Sequence, residues 1–121
     1  MIHSADEFVR LRTSDDPAEY GRAAHEDAPL EVWLSVIEQY PDMRKWVAHN
    51  KTVPIEILRL LSSDADTRVR TMVAMKRKLP EHLQLALAVD PDESVRDEIA
   101  RFVATLPDAV LPDHPKSGSN R

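Results

Sequence analysis

The side chains best able to do chemistry in this 121-residue chain are five histidines, sixteen lysines and arginines, and twenty-one carboxylates. Their spacing speaks against catalysis. His3, His25, His49, His82 and His114 are dispersed and form no His-x-x-x-His pair, so no helix face offers a zinc site of that kind. Cysteine is absent, which excludes disulfides, iron–sulfur clusters and thiolate zinc sites. Gly21 and Gly118 are the only glycines, too few for a Gly-x-Gly-x-x-Gly turn or a phosphate-cradling loop, and no Gly-x-Ser-x-Gly occurs. The chain reads as no enzyme, with no metal and no cofactor.

The cations carry more information. Arg44, Arg70 and Arg96 recur at a spacing of 26 residues. One reading makes them a row facing a ligand. The other makes them an internal ladder in which each Arg reaches an Asp, such as Asp64 or Asp90, at a turn between helices, where a bidentate pair would fix the helix angle. A charge that recurs at a core-defining period favours the ladder. Net charge is also unevenly spread: −6 over residues 1–40, +5 over 41–78 and −4 over 79–121. The central basic belt, with Arg44, Lys45, Arg68, Arg70 and the run Lys76, Arg77, Lys78, is the signal for nucleic acid, since each phosphate contact adds salt-dependent affinity. Against it, the chain is acidic as a whole at −5, whereas nucleic-acid binders show a strongly basic footprint. The acidic ends suit covering a basic protein surface, with charge complementarity speeding association.

The elements that must position these groups form an internal repeat. Val69-Arg70-Thr71-Met72-Val73-Ala74 matches Val95-Arg96-Asp97-Glu98-Ile99-Ala100 and Met43-Arg44-Lys45-Trp46-Val47-Ala48, each at a shift of 26. Pro29, Pro54, Pro80 and Pro107 run alongside at spacings of 25, 26 and 27. Each copy reads as two short helices, none above about ten residues. The first opens at its proline, suited to a first helical turn, with apolar stripes at Val32, Trp33 and Val36, then Ile57, Leu58 and Leu61, then Leu83 and Leu87. The second opens with acidic caps: Asp90-Pro91-Asp92-Glu93 and Asp16-Pro17-Ala18-Glu19 have the form of a capping box with Pro at the first helical position. The prediction is an all-α, short α-solenoid of paired short helices with a period of about 26, since such helices are buried only by stacking on their neighbours. A single domain spans 1–111, with an irregular copy at 1–28, repeats at 29–53, 54–79 and 80–106, and a capping helix at 107–111; residues 112–121 read as a disordered tail.

Slots that vary between copies are candidates for a binding surface. His49, Met75 and Arg101 share one slot, which predicts an exposed row on successive helices. Trp46 shares its slot with Met72 and Glu98, leaving core packing and partner contact equally open. Asn50, after His49, reads as a C-terminal helix cap.

The phrases Trp46-Val47-Ala48-His49-Asn50-Lys51-Thr52-Val53-Pro54 and Asp90-Pro91-Asp92-Glu93-Ser94-Val95-Arg96 resemble the leucine-rich-repeat variant and HEAT-like helical repeats of bacteria. The resemblance covers residues 29–111 and implies a helical-repeat fold in which Asp and Arg form internal ladders. It implies a scaffold that binds another protein, and short stand-alone proteins of this look resemble bacterial immunity or antitoxin proteins, which block a toxin. Some variant-repeat proteins carry a cysteine-ligated cluster, which a chain without Cys cannot hold. No apolar run reaches the length of a signal peptide or a membrane span, so a cytoplasmic setting is expected.

Overall fold

The structure, a computed structural model, describes residues 1–104, with side chains as far as Arg101. The expected helix at 107–111 and tail at 112–121 lie outside the described residues. Among the described residues the fold is all-helical, with eight α-helices and no strand. They are α1 (Ala5–Arg12), α2 (Pro17–His25), α3 (Leu30–Gln39), α4 (Arg44–His49), α5 (Ile55–Leu61), α6 (Thr67–Ala74), α7 (Glu81–Ala88) and α8 (Glu93–Ala104). One turn of 3-10 helix, Pro41–Met43, leads into α4. At twelve residues α8 exceeds the expected length, because no Pro, Gly or Asn interrupts its run.

Local rules set the helix ends. Pro29, Pro54 and Pro80 stand one residue before α3, α5 and α7, in extended conformation, and not at the first helical position. Their carbonyls still start the helical ladder, accepting from Val32, Ile57 and Leu83 at 2.9, 3.0 and 3.0 Å. Pro17 does occupy the first turn, behind Asp16, whose carboxylate accepts from the Ala18 N–H at 2.9 Å. Asp66 and Asp92 cap α6 and α8 in the same way, accepting from Arg68 and Ser94 at 2.8 and 2.7 Å. The α8 cap is therefore Asp92 and not Asp90. Asp90, like Asp64, sits two residues further back and accepts from the cap's own N–H at 2.8 Å. Ser14 does this for Asp16 at 3.0 Å.

The apolar stripes form one core. Val32, Trp33, Val36, Ile57, Leu58, Leu61, Val69, Val73, Leu83, Leu87, Val95 and Ile99 are all buried. Residues 1–28 contribute Ile2, Ala5, Phe8, Leu11 and Ala23 to it, with Phe8 edge-on to Trp33 at 5.4 Å between ring centroids. Ser4 opens α1, accepting from the Glu7 N–H at 3.0 Å, while Glu7 accepts from His3 at 2.7 Å. This Ser-x-x-Glu pattern was readable as a helix start. Helix α1 packs on α2 and α3; α2 meets α4, α4 meets α6, and α6 meets α8. The pairs α3–α4, α5–α6 and α7–α8 close the remaining faces.

Asn50 is the C-terminal cap of α4, its N–H donating to the Trp46 and Val47 carbonyls at 3.2 and 3.1 Å, though not in the left-handed conformation. Its backbone is at φ −59° and ψ 135°, and it is fully buried. The side-chain N–H groups donate to the carbonyls of Ala23 and Glu26 at 2.8 and 3.1 Å, and its oxygen accepts from the Thr52 N–H and hydroxyl, both at 2.7 Å. The neighbouring Lys51 N–H donates to Ala24 at 2.8 Å. Asn50 thus ties the end of α4 to the end of α2, and leaves no side-chain polar atom unpaired. Asn50→Ala should cost roughly 2–4 kcal/mol, since it strands several buried polar groups at once. Urea unfolding checks this, and a loss below about 0.5 kcal/mol would class Asn50 with ordinary surface positions.

Candidate functional site

The turns between helices use up much of the charge that the sequence left open. Arg70 makes a bidentate contact with Asp90 at 2.8 and 3.1 Å and also donates to the Asp64 carbonyl at 2.8 Å. Arg44 donates to Ile37 O at 2.7 Å and pairs with Asp64 at 3.2 Å. Arg96 donates to Asp90 O at 2.6 Å. Burial works to raise the Asp90 carboxyl, but hydrogen bonds from Arg70 and the Asp92 N–H outweigh it and hold it below the usual range. Arg44 and Arg70 therefore bridge turns of their own chain and do not face outward as a ligand row.

The basic belt is broken up in the same manner. Arg68 pairs with the capping Asp66 at 2.9 Å, beside a small cavity of about 120 Å³. Lys76 does not stand with the exposed Arg77 and Lys78: it is half-buried, and its Nζ donates to Asn50 O at 2.6 Å. It stands 26 residues after Asn50 and reaches back to that residue's carbonyl. Burial, with Lys51 nearby, brings its pKa down to about 8. Met75 is exposed at the end of α6, and the exposed Arg101 pairs with Glu98 at 3.2 Å. His49, expected in the same exposed row, is half-buried, because its ring meets Trp46 edge-on at 5.6 Å.

What the fold gathers is a groove at the junction of α1, α2 and α4. It has a volume of about 690 Å³, opens to solvent, and is lined by Arg12 and the turn Thr13–Asp15, by Tyr20, Gly21, Ala24 and His25 of α2, and by Trp46 and His49 of α4. Trp46 is half-buried, packing on the core while its ring borders the groove. The Arg12 guanidinium lies 3.5 Å from the Trp46 ring centroid, and Lys45 Nζ lies 5.6 Å from it. Stacking of this kind contributes about 0.5–1 kcal/mol and holds the guanidinium in place. Burial lowers the His49 pKa, and the positive charges of Lys51, Lys76 and Arg12, with His25, lower it further. The groove thus sets the Arg12 guanidinium and two imidazoles against an aromatic wall, with Asp15 also in its lining. The sequence pointed to Trp46 and His49 but not to Arg12, Tyr20 or His25, which share no spacing with them, and Lys45 lines the smaller cavity beside Arg68 instead.

Gly21 sits inside α2, and a Cβ built there meets nothing within 4 Å. Neither packing nor backbone conformation requires a glycine at this position. Gly21→Ala should raise stability by about 0.5–1 kcal/mol, the helix-interior difference between the two residues, read as an increase in Tm. A decrease would mean that the α2 backbone needs the glycine.

Compared with known proteins, the chain matches no family model, no curated sequence and no solved structure. Among the described residues, no three His, Asp or Glu side chains gather as a metal site would need, and no helix is long and apolar enough to cross a membrane.

Proposed function

We propose that this chain is a non-catalytic helical-repeat module that binds another protein, most concretely a cytoplasmic immunity- or antitoxin-type protein that covers a toxin. We take its architecture to be a short α-solenoid with a period of about 26 residues, related to the bacterial leucine-rich-repeat variant and HEAT-like repeats. Contacts that recur between successive copies support this: Arg44 with Asp64, Arg70 with Asp90, and Lys76 with Asn50.

The observation that carries the functional reading is the groove beside Trp46, where an aromatic ring, a stacked Arg and two imidazoles border open space. Trp and Arg are the side chains most often found at the energetic centres of protein interfaces. The engagement of Arg44, Arg70 and Lys76 within the chain favours a protein partner over nucleic acid, because it removes three cations from the belt that would track a phosphate backbone. The acidic stretch at 1–40, net −6, suits a partner with a basic surface.

An affinity pull-down of the tagged protein from its native host, with and without nuclease, tests this. One polypeptide retained through nuclease treatment is the expected result, and a toxin among the retained proteins is the immunity form of it. Retention lost on nuclease treatment would overturn the reading in favour of nucleic acid.

A further inference from the structure

Building on the protein-binding reading, we propose that the groove seats an acidic side chain from a short segment of the partner polypeptide, with Arg12 as its hydrogen-bonding anchor. Arg10, Arg22 and Arg44 each meet a carboxylate of this chain, at 2.9, 2.5 and 3.2 Å. Arg12 meets none among the described residues and lies against Trp46. A stacked guanidinium keeps its N–H edge available, and that edge matches a carboxylate in a bidentate geometry. His25 and His49 line the same groove and add donors, while Tyr20 and Trp46 offer apolar walls to the residues flanking the acid. Gly21 keeps the space open, since nothing occupies the position its side chain would take.

The surroundings select a peptide over a nucleic acid. Asp15 lines the groove, Asp16 follows it, and residues 1–40 carry a net −6. A nucleic-acid strand repeats its charge at every nucleotide and would lay phosphates on this acidic surface. A polypeptide can place one or two carboxylates in the groove and neutral or basic residues outside it. The same partner can therefore meet the acidic flank and reach Arg12 in the groove.

The test pans a phage-displayed library of random dodecapeptides on the full chain, then measures synthetic versions of the enriched peptides by titration calorimetry. Enriched sequences should carry Asp or Glu. Their affinity should fall about tenfold or more in Arg12→Gln, as for a lost hydrogen bond to a charged group. Gly21→Gln, which fills the groove from a helix-compatible position, should weaken binding as much, and Glu56→Gln on the exposed face of α5 should change nothing. Circular dichroism checks that each variant is folded. Absence of acidic residues in the enriched peptides, or affinities indifferent to both groove variants, would overturn the proposal. So would displacement of the peptides by a twelve-nucleotide thymidine strand whose own binding is lost in Arg12→Gln, since the groove would then be a phosphate site. Repeating the host pull-down with both groove variants separates the two levels. A polypeptide retained equally by all forms leaves the protein-binding reading standing and removes the groove from it, whereas no polypeptide retained by the wild type removes the reading itself.

Discussion

Arg70→Met is expected to destabilise the protein by about 3–5 kcal/mol, the range for breaking a buried ion pair from one side. The side chains of Arg70 and Asp90 are only 13% and 5% exposed, so the loss strands Asp90 as a buried charge. An exposed pair such as Arg68–Asp66 should cost no more than about 1 kcal/mol when broken. The double replacement Arg70→Met with Asp90→Asn should recover part of the loss, because Asn removes the charge yet can still accept from the Asp92 N–H. The Arg70→Met loss also depends on pH in a defined direction. Asp90 is held below its ordinary value of 3.8 in the folded protein, so the unfolded chain binds the proton first on acidification. The contribution of the pair is complete above that unfolded value and disappears as pH falls through the lower folded value. Urea unfolding at neutral pH and across the acid range measures both effects. A cost of less than about 1 kcal/mol for Arg70→Met would place the pair with surface ion pairs.

Val73→Asp is expected to prevent folding. Val73 is fully buried on α6, the helix that packs on both α4 and α8. A carboxylate there would have no partner and would cost several kcal/mol, against a total stability of roughly 0.05–0.15 kcal/mol per residue. Met75, two residues on and 54% exposed, supplies the comparison. Met75→Asp should stay within about 0.5 kcal/mol of the wild type. Circular dichroism of the pair should show an unfolded protein and a native-like one. Equal damage from both would mean that the faces of α6 are reversed.

The helices and their buried faces were legible in the sequence because both depend on local geometry. A repeat of 3.6 residues sets which side chains share a face, and the stripes around Trp33, Ile57, Val73 and Leu87 follow it. The slot shared by Arg44, Arg70 and Arg96 was likewise readable from the period of 26. Spacing could not say which acid each Arg meets or which turn it closes. The helix starts were placed to within a few residues, and the exact cap depended on Asp90 turning inward to Arg70 while Asp92 took over the helix end.

Tertiary structure alone decided the rest. Asn50 became a buried tie because α2 presents the Ala23 and Glu26 carbonyls to it, 27 and 24 residues away in the chain. Lys76 left the basic belt for the same reason, drawn to the Asn50 carbonyl 26 residues back in the chain. The groove is the plainest case. Arg12, Tyr20, His25 and Trp46 belong to three helices and share no periodicity, so nothing in their spacing announces that they meet. Periodicity records which residues face inward along one helix; it carries no record of which side chains two helices bring together. The sequence by itself therefore determined an all-helical chain and its apolar faces, while the packing of α1, α2 and α4 determined where the groove lies.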